Sequence, residues 1–304
     1  MLERGIDASE TIMDIRSPAG VVVGVDGSAH ATLAADWAAQ EAERRGCGLH
    51  LVYAVNTGTI TLSPRSGAAV TDLILKNAQA VLDEALALVG AAHPTLRPTG
   101  DVVPRDAAAA VLTAAEHAEL AVVGTRGHGG FASLLLGSVS LRVCAHAICP
   151  VVVVRVAPEQ GKHVLVAIRE ERDAVALRFG ARQAELAGLP LRALHTWSPV
   201  VADVTHAAPM LDELGEEAKL HAQLLSRTVD PVREEFPEVA IEAEDYSGPT
   251  AATLVEASKE AALLVIARHE PAPHFGLRLG TAVHAVLHHA HCPVAVVPLF
   301  TPSA

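Results

Sequence analysis

The sequence has little of several residue types whose abundance would indicate particular classes of protein. Its 304 residues include four cysteines, too few for the disulfide framework of a small secreted protein. Lysine and arginine number 23 against 35 aspartate and glutamate residues, and the net charge of −12 argues against nucleic acid or an anionic membrane as the main partner. A small anion such as a nucleotide remains compatible, because backbone amides and helix ends bind phosphate without a basic surface.

Long apolar runs and the basic-then-apolar pattern of a secretory signal are also missing. No predominantly apolar stretch reaches the length of a membrane-spanning helix. Acidic residues interrupt the N-terminal segment, at Glu3, Asp7, Glu10 and Asp14. These features predict a soluble protein of a reducing cytoplasm, in which residues 1–19 form a poorly ordered leader.

The chain contains an internal repeat. The segment HAICPVVVV at 146–154 recurs as HAHCPVAVV at 289–297, a shift of 143 residues. The segment WAAQEAERRG at 37–46 recurs as FGARQAELAG at 179–188, a shift of 142 residues. We therefore expect two homologous domains, at 20–156 and 162–298, joined by a short linker.

Each repeat alternates β-branched runs with segments of helical periodicity. In the first repeat the pattern predicts five strands, at Val21–Val25, Leu49–Val55, Asp101–Val103, Leu120–Gly124 and Pro150–Val156. It predicts helices between them at 30–45, Leu73–Val89, Ala107–Ala118 and Ser138–Ala147. Continuous β-branched strands alternating with helices indicate an α/β fold of two doubly wound, parallel-sheet domains. In such sheets, ligands bind beyond the carboxyl ends of the strands.

The strongest candidate site is the glycine-rich stretch VVGTRGHGGFASLLLGSV at 122–139. Gly124 ends a predicted strand, and Ser138 begins a predicted helix whose N-terminal amides suit a phosphate. Glycines between them allow a close approach of the backbone and a positive φ. The stretch has neither the Gly-Lys-Ser/Thr of a Walker loop nor the spacing of a dinucleotide fingerprint. The alternative is that the glycines form only a turn and Ser138 is a helix N-cap.

Three stretches together resemble the universal stress protein family: Gly124-x2-Gly127-x9-Gly137-Ser138, VVVGVDGS at 21–28, and HAICPVVVV at 146–154. The resemblance covers both repeats and implies a tandem member of the ATP-binding branch, with an adenine-nucleotide alpha-hydrolase-like, Rossmann-like fold. It implies that Asp26 holds the ribose or a phosphate-bound metal such as Mg²⁺, and that Ala54 contacts adenine through its backbone. The implied ribose and phosphate cradle is formed by Gly124, Thr125, Gly127, Gly137, Ser138 and Val139.

The polar residues of this candidate site each have a second interpretation. Asp26 ends the first strand, where a carboxylate reaches a sugar hydroxyl, but it is also placed to cap the following helix. Ser28 is available for that capping role. Arg126 and His128 flank the loop, and they either neutralise phosphate charge or are simply solvated.

The second repeat does not match the nucleotide motif. Its departures are Arg169 for Asp26, Glu170 for Gly27, Ala267 for Gly124, Glu270 for Gly127 and Pro273 for Gly130. A carboxylate near the phosphate position and the loss of glycine freedom oppose binding, although Gly280-Thr281 keeps the helix start. We expect this repeat to be nucleotide-free and structural.

Two other features bear on ligands and assembly. The histidines and cysteine of Leu287–Cys292, with His284 nearby, are of the kind that bind zinc. The matching Cys144–Cys149 of the first repeat favours a helix-to-strand junction instead, so no metal site is predicted. A β-branched edge strand needs a partner. The family resemblance implies that the final strands, Val151–Val156 and Val294–Pro298, pair as a pseudo-dimer within one chain; a homodimer of chains stays open.

The features together predict a cytoplasmic ATP-binding stress sensor or regulator that holds nucleotide in its first domain. No residue in the motif is an evident base or water-positioning group, so ATP turnover is expected to be slow at most. Two alternatives stay open. One is an ATP-dependent transferase or hydrolase on a related fold, and the other is an interaction scaffold without a ligand.

Overall fold

The computed structural model describes residues 20–56, 64–127, 136–155, 161–198, 207–269 and 279–299, with backbone alone at 64–69 and 207–214. The strands of the first repeat are β1 (Gly20–Val25), β2 (Gly48–Ala54), β3 (Thr99–Val103), β4 (Leu120–Gly124) and β5 (Val151–Val154). Its helices are α1 (Ala29–Arg45), α2 (Pro64–Ala92), α3 (Ala107–Ala115) and α4 (Ser138–His146).

The second repeat follows the same order of elements. Its strands are β6 (His163–Ile168), β7 (Leu191–Trp197), β8 (Ile241–Ser247), β9 (Ala261–Arg268) and β10 (Val294–Pro298). Its helices are α5 (Ala174–Ala187), α6 (Ala207–Glu235), α7 (Thr250–Ala257) and α8 (Thr281–His289). A short 3₁₀ turn, Glu171–Asp173, precedes α5.

All these strands belong to one sheet, in the order β3-β2-β1-β4-β5-β10-β9-β6-β7-β8. The strand pairs within each repeat are parallel, whereas β5 and β10 pair antiparallel with Val153 opposite Val294. The predicted α/β class and the predicted pairing of the two final strands are confirmed. In the first repeat the strand order reverses at β1, between β2 and β4, and sheets of this type bind ligands at such a point.

Element boundaries differ from the predicted ones at a few ends. Helix α2 runs from Pro64 to Ala92, beyond the predicted Leu73–Val89, and proline suits a first helical turn. Helix α3 stops at Ala115 because the next turn tightens, with the Ala118 amide donating to the Ala115 carbonyl at 3.3 Å.

Two apolar layers cover the faces of the sheet, and both run through the two repeats. Alternate residues of β5 and β10 enter opposite layers, as the two-residue period of a strand requires. Val152 and Ala295 lie in the layer formed with α1, α2, α5 and α6, whereas Val153 and Val294 lie in the layer formed with α3, α4, α7 and α8. Each layer is therefore continuous across the two repeats.

Two arginines cross from one repeat to the other beside this junction. Arg155 donates through Nη2 to the carbonyl of Leu287 at 3.0 Å, and Arg268 donates through Nη1 to the carbonyl of Cys144 at 2.8 Å. Leu287 and Cys144 occupy equivalent positions in the last turns of α8 and α4. Helix carboxyl ends carry partial negative charge. The last helix of each repeat, α4 or α8, is therefore stabilised by a cation from the other repeat.

Helices α1 and α5 meet at a pair of equivalent residues, Glu41 and Gln183. The Gln183 amide donates through Nε2 to Glu41 Oε1 at 2.6 Å, and both side chains are buried. Arg45 donates through Nε to the same oxygen at 2.6 Å. Equivalent residues that touch lie on the pseudo-twofold axis. An amide opposite a carboxylate leaves only one buried acid there, and that acid has a partner on each side.

We expect Gln183→Glu to destabilise the protein by on the order of 3–5 kcal/mol, because it buries a second carboxylate against Glu41. In this variant, repulsion between the two carboxylates favours protonation of the pair in the folded state more than in the unfolded state. The loss of stability should therefore shrink as pH falls. Urea unfolding at pH 7 and pH 5 measures both effects. The double change Glu41→Gln with Gln183→Glu is the matched control, since it keeps one acid and one amide. A single variant as stable as the native chain at pH 7 would contradict this account.

His93, directly after α2, joins that helix to α1 through two carboxylates. Its Nε2 lies 3.0 Å from Asp36 Oδ1 and its Nδ1 lies 2.9 Å from Glu43 Oε2. Burial alone would lower the pKa of His93, but the two carboxylates outweigh it and raise the pKa above its usual value. Hydrogen bonds lower the pKa of Glu43, the larger effect coming from Thr95 and the smaller from His93.

This clamp should make the contribution of His93 to stability depend on pH. Its raised folded-state pKa means that the contribution is complete below about pH 6.5, the unfolded value, and is lost as pH rises through the folded value. The difference in unfolding free energy between the native chain and His93→Gln should therefore shrink from pH 5.5 to pH 8.5. His117→Gln, at an exposed histidine, is the control. A difference that stays constant across this range would argue against the clamp.

Candidate functional site

A cleft of about 470 Å³ lies at the carboxyl ends of β1, β2 and β4, beside the start of α4. Seven of the eight residues that the sequence predicts for the site line this cleft: Asp26, Ala54, Gly124, Gly127, Gly137, Ser138 and Val139. Thr125 is not among the lining residues. It is buried, and its carbonyl accepts a hydrogen bond from the Gly137 amide at 2.7 Å. Thr125 therefore connects the end of β4 to the start of α4.

The turn after β1 positions Asp26 at the edge of the cleft. Gly27 has a φ of 80°, in the left-handed region that favours glycine. Ser28 is the N-cap of α1, since its Oγ accepts from the Ala31 amide at 3.2 Å. Asp26 Oδ1 accepts from the Ser28 amide at 3.0 Å. The cap of α1 is thus Ser28, and Asp26 orders the turn that precedes it.

Close packing, and not a positive φ, requires glycine at two positions of the loop. None of Gly124, Gly127 and Gly137 has a positive φ, so that expectation is wrong for the described part of the loop. A Cβ at Gly124 would lie 2.7 Å from the His30 carbonyl oxygen in the first turn of α1. A Cβ at Gly127 would overlap Asp26 Oδ2. Gly129, Gly130 and His128 lie outside the described residues.

Helix α4 opens towards the cleft without a side-chain cap. Its N-cap is Gly137, with φ −78° and ψ 153°, so the interpretation of Ser138 as the cap is wrong and Ser138 is the first helical residue. Helices α1 and α3 are capped by Ser28 and Asp106, whereas Gly137 has no side chain to offer. Amides in the first turn of a helix have no intrahelical acceptor and carry partial positive charge. The start of α4 can therefore accept an anion.

The walls of the cleft are mostly apolar and were not predicted from the sequence. They include Gly24, Val52, Val111, Val123 and Leu136. A Cβ at Gly24 would approach Val111 Cγ2 to 2.9 Å, so glycine there allows α3 to pack close to β1. Strand alternation could have identified Val52, because it lies two residues before Ala54 and faces the same side of the sheet.

Two polar residues complete the cleft. Ser140 donates through Oγ to the Gly124 carbonyl at 2.7 Å, which holds the end of β4 against α4. Arg126 also lines the cleft, and its carbonyl lies 3.4 Å from Ser28 Oγ. This contact joins the turn after β1 to the loop after β4 at the edge of the cleft.

The corresponding place in the second repeat is occupied by a cluster of two carboxylates and a histidine. Asp173 is buried, and its Oδ2 accepts from the amides of Arg169 at 2.6 Å and Glu170 at 3.1 Å. His269 Nε2 lies 2.9 Å from Asp173 Oδ1, and its Nδ1 lies 3.4 Å from Glu170 Oε1. Ala267 is buried in β9, whereas Glu270 and Pro273 lie outside the described residues. Carboxylates thus surround the position equivalent to the Asp26 turn.

The model of the universal stress protein family matches residues 20–155 and again residues 161–298. The chain belongs to the universal stress protein family. Universal stress protein Rv2623 of Mycobacterium tuberculosis is 31% identical over 290 residues, which cover 92% of this chain and 96% of the relative. The family predicted from the sequence motifs is confirmed.

A solved structure of similar length agrees with this fold over both repeats. A universal stress protein from Archaeoglobus fulgidus covers 93% of this chain and 97% of its own, with a TM-score of 0.66 and 18% identity. A shorter universal stress protein solved in complex with cAMP is 29% identical and covers 45% of this chain, with a TM-score of 0.34.

Two other kinds of site would need a long apolar helix or a cluster of metal-ligating side chains. In that part of the chain, no helix combines the length and the apolar character needed to cross a lipid bilayer. The described histidine, cysteine, aspartate and glutamate side chains also form no group of three or more that could hold a metal ion.

The close approach at Gly124 gives a test of the geometry of the site. We expect Gly124→Ala to destabilise the protein by about 1–3 kcal/mol, because its Cβ would press on the backbone of α1. Gly90→Ala, in α2 where a Cβ would meet nothing within 4 Å, is the control and should be neutral or up to about 1 kcal/mol more stable. Thermal unfolding compares the two. Equal midpoints would show that α1 does not pack against Gly124.

Proposed function

We propose that this universal stress protein binds ATP in the cleft of its first repeat and acts as a nucleotide-dependent sensor or regulator. The observation that carries the proposal is that Asp26 and the uncapped start of α4 line the same cleft. A sugar hydroxyl suits the carboxylate, and a phosphate suits the helix start. Gly127 keeps the space beside Asp26 free of a side chain.

The cleft also fits the size and polarity of an adenine nucleotide. Its volume of about 470 Å³ falls in the range of ligand pockets, roughly 300–1,000 Å³. Apolar walls at Val52, Ala54 and Val111 suit the base, and the start of α4 suits the phosphates. The Asp26 carboxylate and the Ser138 hydroxyl are oxygen donors of the kind that Mg²⁺ prefers, so we include Mg²⁺ as the ion that accompanies the phosphates.

We propose one nucleotide site in each chain. In the second repeat, Asp173 and Glu170 occupy the turn equivalent to that of Asp26 and lie beside His269. Their negative charge would repel a phosphate, and opening the cluster would leave buried Asp173 without its partners. The second repeat then serves the fold, through its share of the core and the β5–β10 pair.

We do not propose an efficient enzyme. The described lining of the cleft contains no histidine and one carboxylate, Asp26, which already accepts the Ser28 amide. Phosphoryl transfer uses a group that positions the attacking water or accepts its proton, so hydrolysis should be slow at most. A cytoplasmic location is part of the proposal, because all four cysteines are free, as in a reducing compartment.

Titration calorimetry of the full chain with ATP, in the presence and absence of Mg²⁺, tests the proposal. We expect one site per chain, with Asp26→Asn weakening binding by on the order of 1–3 kcal/mol, the scale of a charge-assisted hydrogen bond. Gly127→Val should abolish binding without unfolding the chain, since its side chain would displace Asp26. Glu170→Gln in the second repeat is the matched control and should leave affinity unchanged.

The ligand and the role of Asp26 can be separated in the same assay. If the native chain binds 2′-deoxy-ATP more weakly than ATP and Asp26→Asn abolishes that difference, the carboxylate contacts the ribose. If Asp26→Asn instead abolishes the effect of Mg²⁺ on ATP affinity, the carboxylate contacts the metal. Two equivalent sites would overturn the asymmetry between the repeats. No binding would favour a scaffold, and rapid phosphate release or transfer would favour an enzyme.

A further inference from the structure

Helices α1 and α2 leave an apolar groove of about 390 Å³ between them, which we call the α1–α2 groove. On α2 it is lined by Val81, Ala85, Leu88 and Ala92, whose spacing places them on one face of the helix. Leu88 keeps 54% of its surface exposed, so α1 does not cover this face. Val25 and Ala31 line both the groove and the nucleotide cleft, which makes the two cavities neighbours.

Each helix contributes one carboxylate to the groove, and the described lining has no lysine or arginine. Asp36 comes from α1 and Glu84 from α2. Asp36 is half exposed and is shared with His93 and with Gln40, whose amide donates to it at 2.9 Å. Glu84 is exposed and forms no ion pair with any described residue. The groove therefore combines an aliphatic wall with negative charge.

The second repeat reverses this charge at the equivalent positions. Buried residues of α2 and α6 align at a shift of 143, with Leu82 matching Leu225, so Glu84 corresponds to Arg227. In the segment WAAQEAERRG the shift is 142, so Asp36, directly before it, corresponds to Arg178.

Both arginines are already engaged in ion pairs. Arg178 pairs with Glu235 at 2.7 Å, and Arg227 lies 3.5 Å from Glu171. Because the two repeats share one architecture, the negative charge of the groove is not a by-product of the fold.

We propose that the α1–α2 groove binds a small amphiphilic cation, an organic ammonium ion with an aliphatic body. Aliphatic walls gain from covering a hydrocarbon chain, and Glu84, which forms no ion pair with a described residue, complements its charge. The volume suits a small molecule, whereas a partner protein would need on the order of 800 Å² of contact on each side. The inference does not depend on the nucleotide, because neither carboxylate lines the nucleotide cleft.

Methyl NMR of the full chain, without nucleotide, tests the groove with three probes of equal chain length: n-octylammonium, 1-octanol and octanoate, each below its aggregation concentration. We expect saturable shifts at the methyl groups of Val81, Leu88 and Val89. Affinity should fall in the order ammonium, alcohol, carboxylate. Glu84→Gln should weaken octylammonium by about two- to fivefold, the scale of an exposed ion pair, and leave octanol unchanged.

Two variants complete the experiment. Ala85→Phe fills the groove and should remove binding of all three probes, while Arg227→Gln, at the equivalent position of the second repeat, should change nothing. Shifts outside the groove, equal affinity for octanoate and octylammonium, or an unchanged cation preference in Glu84→Gln would each overturn the proposal. Because no nucleotide is present, such a failure is distinguishable from a failure of ATP binding.

Discussion

The antiparallel pairing of β5 and β10 is the constraint on which the rest of this structure depends. Each repeat ends its parallel sheet with a β-branched strand, β5 at Val151–Val154 and β10 at Val294–Pro298. On the side away from its own repeat, each of these strands has no parallel neighbour. Left open, such edges expose unpaired backbone groups and apolar side chains. Pairing them satisfies both backbones and makes each apolar layer continuous across the two repeats, so that the second repeat completes the first.

The interface also requires the two repeats to differ. If the two repeats were identical in sequence, two acidic residues would meet on the pseudo-twofold axis. The chain instead places Glu41 against Gln183. Beside the axis, Arg155 and Arg268 reach equivalent carbonyls from positions that are not equivalent. A tandem chain can make such changes on one side only, because each repeat has its own sequence. The same freedom separates the open cleft of the first repeat from the Asp173 cluster of the second.

Within the first repeat, one turn of one helix connects the candidate site to the core. The start of α1 lies so close to β4 that only glycine fits at Gly124. Ser28 caps α1, and its amide donates to Asp26. The Asp26 carboxylate in turn leaves room only for glycine at Gly127. The carboxylate is therefore positioned by packing and by backbone hydrogen bonds together. The α1–α2 groove lies along the same helix, where α2 leaves its aliphatic face uncovered.

Local pattern predicted much of this. Strand β4 begins and ends where its apolar run does, the repeat indicated two copies of one α/β fold, and the motif residues identified the family. Residues within one element or one turn obey short periodicities that can be read directly, which is why Ser28 was recognised as available for a cap. The full length of α2 and the early end of α3 were not predicted, because capping and turn geometry at helix ends are weakly encoded.

By itself, the sequence determined the α/β class, the repeat, the family and which positions carry glycine, because each depends on local spacing or on identity between the two halves. Only the tertiary structure decided why Gly124 and Gly127 are glycines. Their backbones have ordinary φ values, and the constraint comes from His30 and Asp26, which the fold brings against them. Likewise, only the fold could show that Thr125 is buried away from the cleft, that Glu41 faces Gln183 and that α1 and α2 leave a groove. Each depends on residues far apart in sequence, whose distance is set by how helices pack on the sheet.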